Sequence, residues 1–102
     1  MSEYFSSGSW TAAPGREDDF VAAWTDYARW TTENAPGSRS GTLLQHRSQP
    51  NRFVSFGRWD SAEALDDWRA SEGFEEHVAP IRELCEQFDV GAYERRAQFG
   101  DE

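Results

Sequence analysis

From Arg52 to Trp59 the chain alternates, which predicts a strand. Phe53, Ser55, Gly57 and Trp59 fall on one face, and Val54, Phe56 and Arg58 on the other. Both faces carry apolar side chains, so both are expected to be covered. Asp60 or Ser61 then caps a helix that carries Trp68, with Glu63 completing a capping box if Asp60 is the cap. A serine and a glycine beside Trp59 leave room on their face. Such room next to a core is a place where a small domain can hold a flat, apolar ligand.

The remaining pattern fills in around this element. Residues 4–12 read as a first strand and Pro14-Gly15 as a turn. A helix is predicted from Arg16 to Asn34, with Glu17, Asp18 and Asp19 at its positive end. Its apolar stripe is Phe20, Ala23, Trp24, Tyr27, Trp30 and Thr31. Gly41 to Ser48 reads as a second strand, joined to the third by a turn at residues 49–51. Ser71 opens a further helical segment with the stripe Phe74, His77, Val78, Ile81, Leu84, Cys85 and Phe88, and Pro80 is expected to kink or restart it. Asp89 to Gln98 reads as the last strand, followed by a loose tail over residues 99–102. The order βαββαβ predicts an α+β, ferredoxin-like domain, with a four-stranded antiparallel sheet and helices on one face. The other face, where Leu43, Val54 and Phe56 are expected, needs a cover. A second copy packed sheet to sheet supplies one, giving a twofold homodimer.

Length and composition narrow the function classes. The 102 residues suffice for one domain over 1–102, with its core at about 4–98. A net charge of −9 argues against nucleic-acid partners and anionic membrane surfaces. The chain has no Lys, which removes Schiff-base chemistry and a lysine base. The single Cys85 cannot form an internal disulfide and reads as a small buried hydrophobe. No signal-peptide pattern and no transmembrane stretch is visible, so a cytoplasmic location is the expectation. Arg69 and Arg82 either pair with nearby acids or steer an anionic substrate, and spacing leaves both open.

The segments Gly8–Glu17, Arg52–Ser61 and Trp68–Phe74, with Phe20 and Trp24, resemble the antibiotic biosynthesis monooxygenase family of dimeric α/β-barrel proteins. The resemblance covers about residues 5–96. One branch of that family contains cofactor-free oxygenases that turn polyketide phenols and anthrones into quinones. On its pattern, His46 matches the hairpin histidine and Trp59 the strand-ending tryptophan, while Ser55 replaces an asparagine and Leu65 a tyrosine. A second branch degrades haem. There Gly8 stands for the asparagine and Val78 for the histidine ligand, with His77 one position away, a rotation of roughly 100° on a helix. The resemblance therefore implies no haem and no other cofactor, with molecular oxygen as co-substrate.

Triplet oxygen does not insert directly into a closed-shell molecule, and flavin or a metal is the usual remedy. No Gly-rich dinucleotide fingerprint is present, and two separated histidines among scattered carboxylates do not make a convincing metal set. The remaining route uses an electron-rich substrate whose anion reduces oxygen, inside a dry pocket with a base and an anion stabiliser. His46 is the expected base. Trp59 and Ser55 are the expected donors, and Trp24, Tyr27, Leu65, Trp68 and His77 the expected pocket walls. The expected activity is cofactor-independent oxidation of a small polycyclic aromatic or quinol-type substrate. The alternatives are a non-catalytic ligand-binding module, or a polyketide cyclase or isomerase using the same pocket.

Overall fold

The computed structural model describes residues 3–101. The elements run β1 (Tyr4–Ala12), α1 (Glu17–Asn34), β2 (Thr42–Gln45), β3 (Arg52–Trp59), α2 (Ala62–Arg69), α3 (Glu72–Glu83) and β4 (Cys85–Glu94). The four strands form one antiparallel sheet in the order β2-β3-β1-β4, as the βαββαβ reading expected. In β3 every second residue is buried, from Phe53 to Trp59. That face meets the helices through a core of Trp10, Phe20, Trp24, Phe53, Leu65, Phe74, Val78 and Ile81. No helix among the described residues is long and apolar enough to cross a membrane.

The structure selects between some local alternatives and corrects others. Of the two candidate caps it is Ser61 that caps α2, accepting a hydrogen bond from the Ala64 N–H, so the capping box conditional on Asp60 does not form. Asp60 instead receives two bonds from the Arg39 guanidinium, at 2.5 and 2.7 Å. The same guanidinium holds the Asp60 carboxyl below its ordinary range. With the Ser38–Trp59 bridge, this pair fastens the loop before β2 to the end of β3.

α3 runs through Pro80 to Glu83, where Leu84 turns back onto the Ile81 carbonyl. Cys85 and Phe88, expected on the helix, therefore belong to β4. Cys85 pairs with Ala12, and Phe88 stacks on Trp10 with ring centres 6.2 Å apart. Cys85 is half-buried and its thiol is pushed up to about 11 by burial, which keeps it protonated at neutral pH. Phe99 is fully exposed, while Glu102 lies outside the described residues.

β2 stops at Gln45 because His46 is already in the turn. Its Nδ1 accepts N–H bonds from Ser48 and Gln49 at 3.1 and 3.0 Å. Leu43 pairs with Ser55 and Leu44 with Val54. Leu44, not Leu43, therefore shares the open face with Val54 and Phe56.

The helix caps give a modest test. Ser71 accepts the Phe74 N–H and donates to the Trp68 carbonyl, which joins α2 to α3. Ser71→Ala is expected to lower stability by about 1 kcal/mol in urea titration. No change would mean that water satisfies these groups equally well.

Candidate functional site

The site lies between the helix-facing side of the sheet and helices α1 and α2. Strand register builds its floor. Ser6 of β1 sits opposite Gly57 of β3, and Gly8 sits opposite Ser55, so two serines and two glycines alternate on one face. Tyr4 and Trp59 pair at one end of this patch, and Trp10 and Phe53 at the other.

The room expected over the glycines is largely filled. A Cβ on Gly8 would come within 2.7 Å of the Trp10 indole, which lies over it. A Cβ on Gly57 would come within 2.7 Å of the Ser40 carbonyl oxygen. What remains is a partly open cleft of about 50 Å³, walled by aromatic rings together with serine, threonine and glycine residues. Sites for drug-sized ligands run roughly 300–1,000 Å³, so side chains must shift before a polycyclic ring system fits. Trp68 is the shared wall between this cleft and an outer groove of about 510 Å³ along α1 and α2.

The hydrogen bonds are specific. The Trp10 indole donates to Ser55 Oγ at 2.9 Å, and the Trp59 indole donates to Ser6 Oγ at 3.1 Å. Neither serine hydroxyl has an acceptor for its own hydrogen among the described residues. Trp68 packs against Trp59 at 4.9 Å, Phe74 at 4.7 Å and Tyr27 at 6.0 Å between ring centres. Its indole N–H is buried with no acceptor among the described residues. Burial pushes the Tyr27 phenol far above its ordinary value, and the charges of Arg69 and Arg82 pull it back only in part. Arg69 also lines the cleft.

Ser55, Trp59, Trp24, Tyr27 and Trp68 are thus brought together around one cleft. His46, Leu65 and His77 are not. His46 is exposed in the β2–β3 turn, pairs through its N–H with the Arg52 carbonyl, and falls on the opposite sheet face. Its Nδ1 lone pair is committed to the turn, so it cannot serve this cleft as a base within the chain. Leu65 is buried core, without a place in the cleft lining. His77 stacks on Trp30 at 3.7 Å, and its Nδ1 lies 2.8 Å from the Gly73 carbonyl oxygen on the outer side of the helix layer. Trp30, on the apolar stripe expected to face the core, is only half-buried there.

The expected role of Trp59 changes too. Its N–H, expected to be free for a substrate oxygen, is already donated to Ser6 Oγ. Ser6 and Trp10 were not singled out from the sequence, whereas Arg69, read there as either an ion-pair partner or a guide for an anionic substrate, lies in the cleft lining. The alternation Ser6-x-Gly8-x-Trp10 put the three β1 residues on one face, but only the register against β3 brings Ser6 to Trp59.

The residues do not fit haem. Val78, at the position of the haem-branch ligand, is fully buried aliphatic core without a donor atom. Gly8, at the asparagine position, is covered by the Trp10 indole.

The profile of the antibiotic biosynthesis monooxygenase family matches residues 4–80. No curated protein matches the chain. Among solved structures, SnoaB from Streptomyces nogalater, described as a cofactor-independent oxygenase, superposes with a TM-score of 0.85 at 23% identity, covering 99% of this chain and 100% of that one. A mutant of SnoaB gives the same TM-score and identity over 97% and 98%. A protein from Shewanella oneidensis superposes with a TM-score of 0.76 at 20% identity over 92% and 91%. At these identities the likeness shows a shared fold.

Proposed function

The chain belongs to the antibiotic biosynthesis monooxygenase family, and from that premise we propose that it is a cofactor-independent monooxygenase acting on a polycyclic aromatic or quinol-type substrate. The observation that carries this reading is the aromatic cleft floored by two serine hydroxyls, each receiving an indole N–H. SnoaB, of the same fold, is described as a cofactor-independent oxygenase. The expected substrate has an activated ring carbon bearing two hydrogens, or is the phenol tautomer of such a ring.

For a ring CH2 the steps balance as follows. The substrate loses one proton, and its carbanion, delocalised onto oxygen as an enolate or phenolate, gives one electron to oxygen. The resulting radical and superoxide combine to form a C–O bond. The peroxide takes up a proton, then loses the second C–H proton and hydroxide, which leave as water. One oxygen atom ends in the new carbonyl and the other in water. The protein's part is to exclude water, hold the ring against the serine–glycine floor and stabilise the oxyanion. A hydroxyl that accepts from an indole is the better donor for it, because hydrogen bonds in a chain polarise one another. Admission requires side chains around Trp68 to open toward the outer groove.

The assembly proposed with this activity is a homodimer through the open sheet face. Leu44, Val54 and Phe56 are 50%, 48% and 40% exposed there. The chain is a flat slab of 41 × 35 × 19 Å exposing 6835 Å², whereas a compact monomer of this mass exposes roughly 5,900 Å². The excess is close to the roughly 800 Å² per partner that a standard interface buries. A second copy is the occupant that covers the same stripe on both slabs at once.

The test is oxygen uptake by metal-stripped protein with anthrones, naphthols and dihydroquinones, corrected for autoxidation. Saturable uptake is expected, with one oxygen consumed per carbonyl formed from a CH2 substrate. Ser55→Ala should lower it about 10²-fold, the scale of losing one oxyanion donor. His46→Ala should stay at the wild-type level. Ligand-dependent quenching of tryptophan fluorescence without any uptake would replace the oxygenase reading by a binding or cyclase function.

A further inference from the structure

The cleft contains no side chain suited to take a proton near neutral pH. Among the described residues that line it, none is a histidine, aspartate or glutamate. The titratable groups there are Tyr27 on α1 and Arg69 on α2; Arg82 on α3 acts on Tyr27 from outside the lining, and the sheet contributes none. A buried tyrosine held in its neutral form cannot serve as a base at neutral pH. Both histidines are committed elsewhere, to the hairpin turn and to Trp30.

What the cleft does contain is one cation and several donors. Arg69 forms no ion pair with a carboxylate among the described residues, unlike Arg16, Arg29, Arg39, Arg58, Arg82 and Arg95. The Ser6 and Ser55 hydroxyls accept from indoles and keep their own hydrogens free. The Trp68 N–H has no acceptor among the described residues. A positive charge beside unused donors, in a cleft walled in part by aromatic rings, is complementary to an anion on a flat ring.

We propose that the cleft takes its substrate as a preformed phenolate or enolate, with Arg69 as the counter-charge and the Ser6 and Ser55 hydroxyls as donors to the oxyanion. The inference rests on the oxygenase reading and deepens it. It names the substrate class as acidic phenols and enols, in which the hydroxyl is conjugated to a carbonyl and ionises without a protein base. The proton then leaves to water before binding, and the rate follows the ligand's own ionisation.

The test measures binding apart from turnover. Tryptophan quenching is followed against pH, without oxygen, for carbonyl-substituted naphthols of graded acidity and for their methyl ethers. In the wild type, affinity should rise about tenfold per pH unit below each ligand's pKa and level off above it, because only the ionised fraction is competent. The break should move with the ligand. Arg69→Gln should weaken anion binding at least tenfold and leave the methyl ether unchanged. Arg69→Lys, which keeps a charge at the end of α2, should retain most of the affinity. Circular dichroism checks that each variant is folded.

A break at one pH for every ligand would overturn the inference by revealing a titrating protein group. Equal binding of the ethers, or no binding of any anion, would overturn it as well. Oxygen uptake without this ionisation link would sink the inference and leave the oxygenase reading standing. Ionisation-linked binding without uptake would do the reverse.

Discussion

Trp10→Ala is expected to destabilise the fold by about 3–5 kcal/mol, the range for emptying a large aromatic site in a core. Trp10 is 3% exposed and lies between Phe20 and Phe88, with ring centres 5.8 and 6.2 Å away. Its loss leaves Gly8 bare and Ser55 without its buried donor. A domain of this size has only about 5–15 kcal/mol in all. With roughly 4–8 °C per kcal/mol, the melting temperature should fall by well over 10 °C. Trp10→Phe separates the two contributions. It keeps most of the ring packing and removes the N–H, so about 1 kcal/mol is expected, plus a smaller packing loss. A double-mutant cycle with Ser55→Ala then isolates the hydrogen bond. If Trp10→Ala cost less than about 1 kcal/mol, the indole would not be what closes the floor of the cleft, and the account of Gly8 would fail with it.

The sequence made the broad architecture legible because α1 and β3 carry unambiguous periods. Phe20, Trp24 and Thr31 recur on one helical face, and β3 is buried at every second position. The failures share a physical cause, which is that pairing partners decide what periodicity leaves open. Ile81, Leu84, Cys85 and Phe88 are spaced for a helix, yet Cys85 pairs with Ala12 and Phe88 stacks on Trp10. Long-range pairing overrides the local period there. In β2 two adjacent leucines offer either parity, and only the register of Leu43 against Ser55 selects one. A shift of one residue flips every side chain. The parity that sends Leu44 to the open face also sends His46 there, away from Ser55 and Trp59.

The site was half legible for the same reason. Ser55, Trp59, Trp24, Tyr27 and Trp68 follow from strand and helix faces. The Trp59–Ser6 and Trp10–Ser55 bonds join positions 53 and 45 residues apart, and no local pattern contains them. They change the chemistry expected of Trp59. Its indole N–H is already given to Ser6 Oγ, so under the proposed function Ser6 becomes as important to test as Ser55.

Val54→Asp is expected to convert the proposed dimer to monomer, with at least a 100-fold rise in the dissociation constant. Val54 pairs directly with Leu44 in the middle of the open face, and neither lines the cleft. A carboxylate there loses its water on association against the exposed Leu44 and Phe56 side chains, with exposed Arg52 two positions along the same face as its nearest cation. Desolvating a charge costs several kcal/mol, which a flexible exposed arginine offsets only in part, and a twofold axis introduces two such charges. The chain's net charge of −9 adds long-range repulsion of the same sign. Sedimentation at tens of micromolar should show the wild type at twice the chain mass of 11.7 kDa and the variant at one chain mass. The wild-type melting temperature should rise with protein concentration, and that dependence should vanish in the variant. Because the cleft lies on the other side of the sheet, the variant monomer should still quench on adding ligand if it remains folded. A wild type that sediments as a monomer would remove the second copy as the cover for this face. A variant that stays dimeric would place the interface elsewhere on the slab.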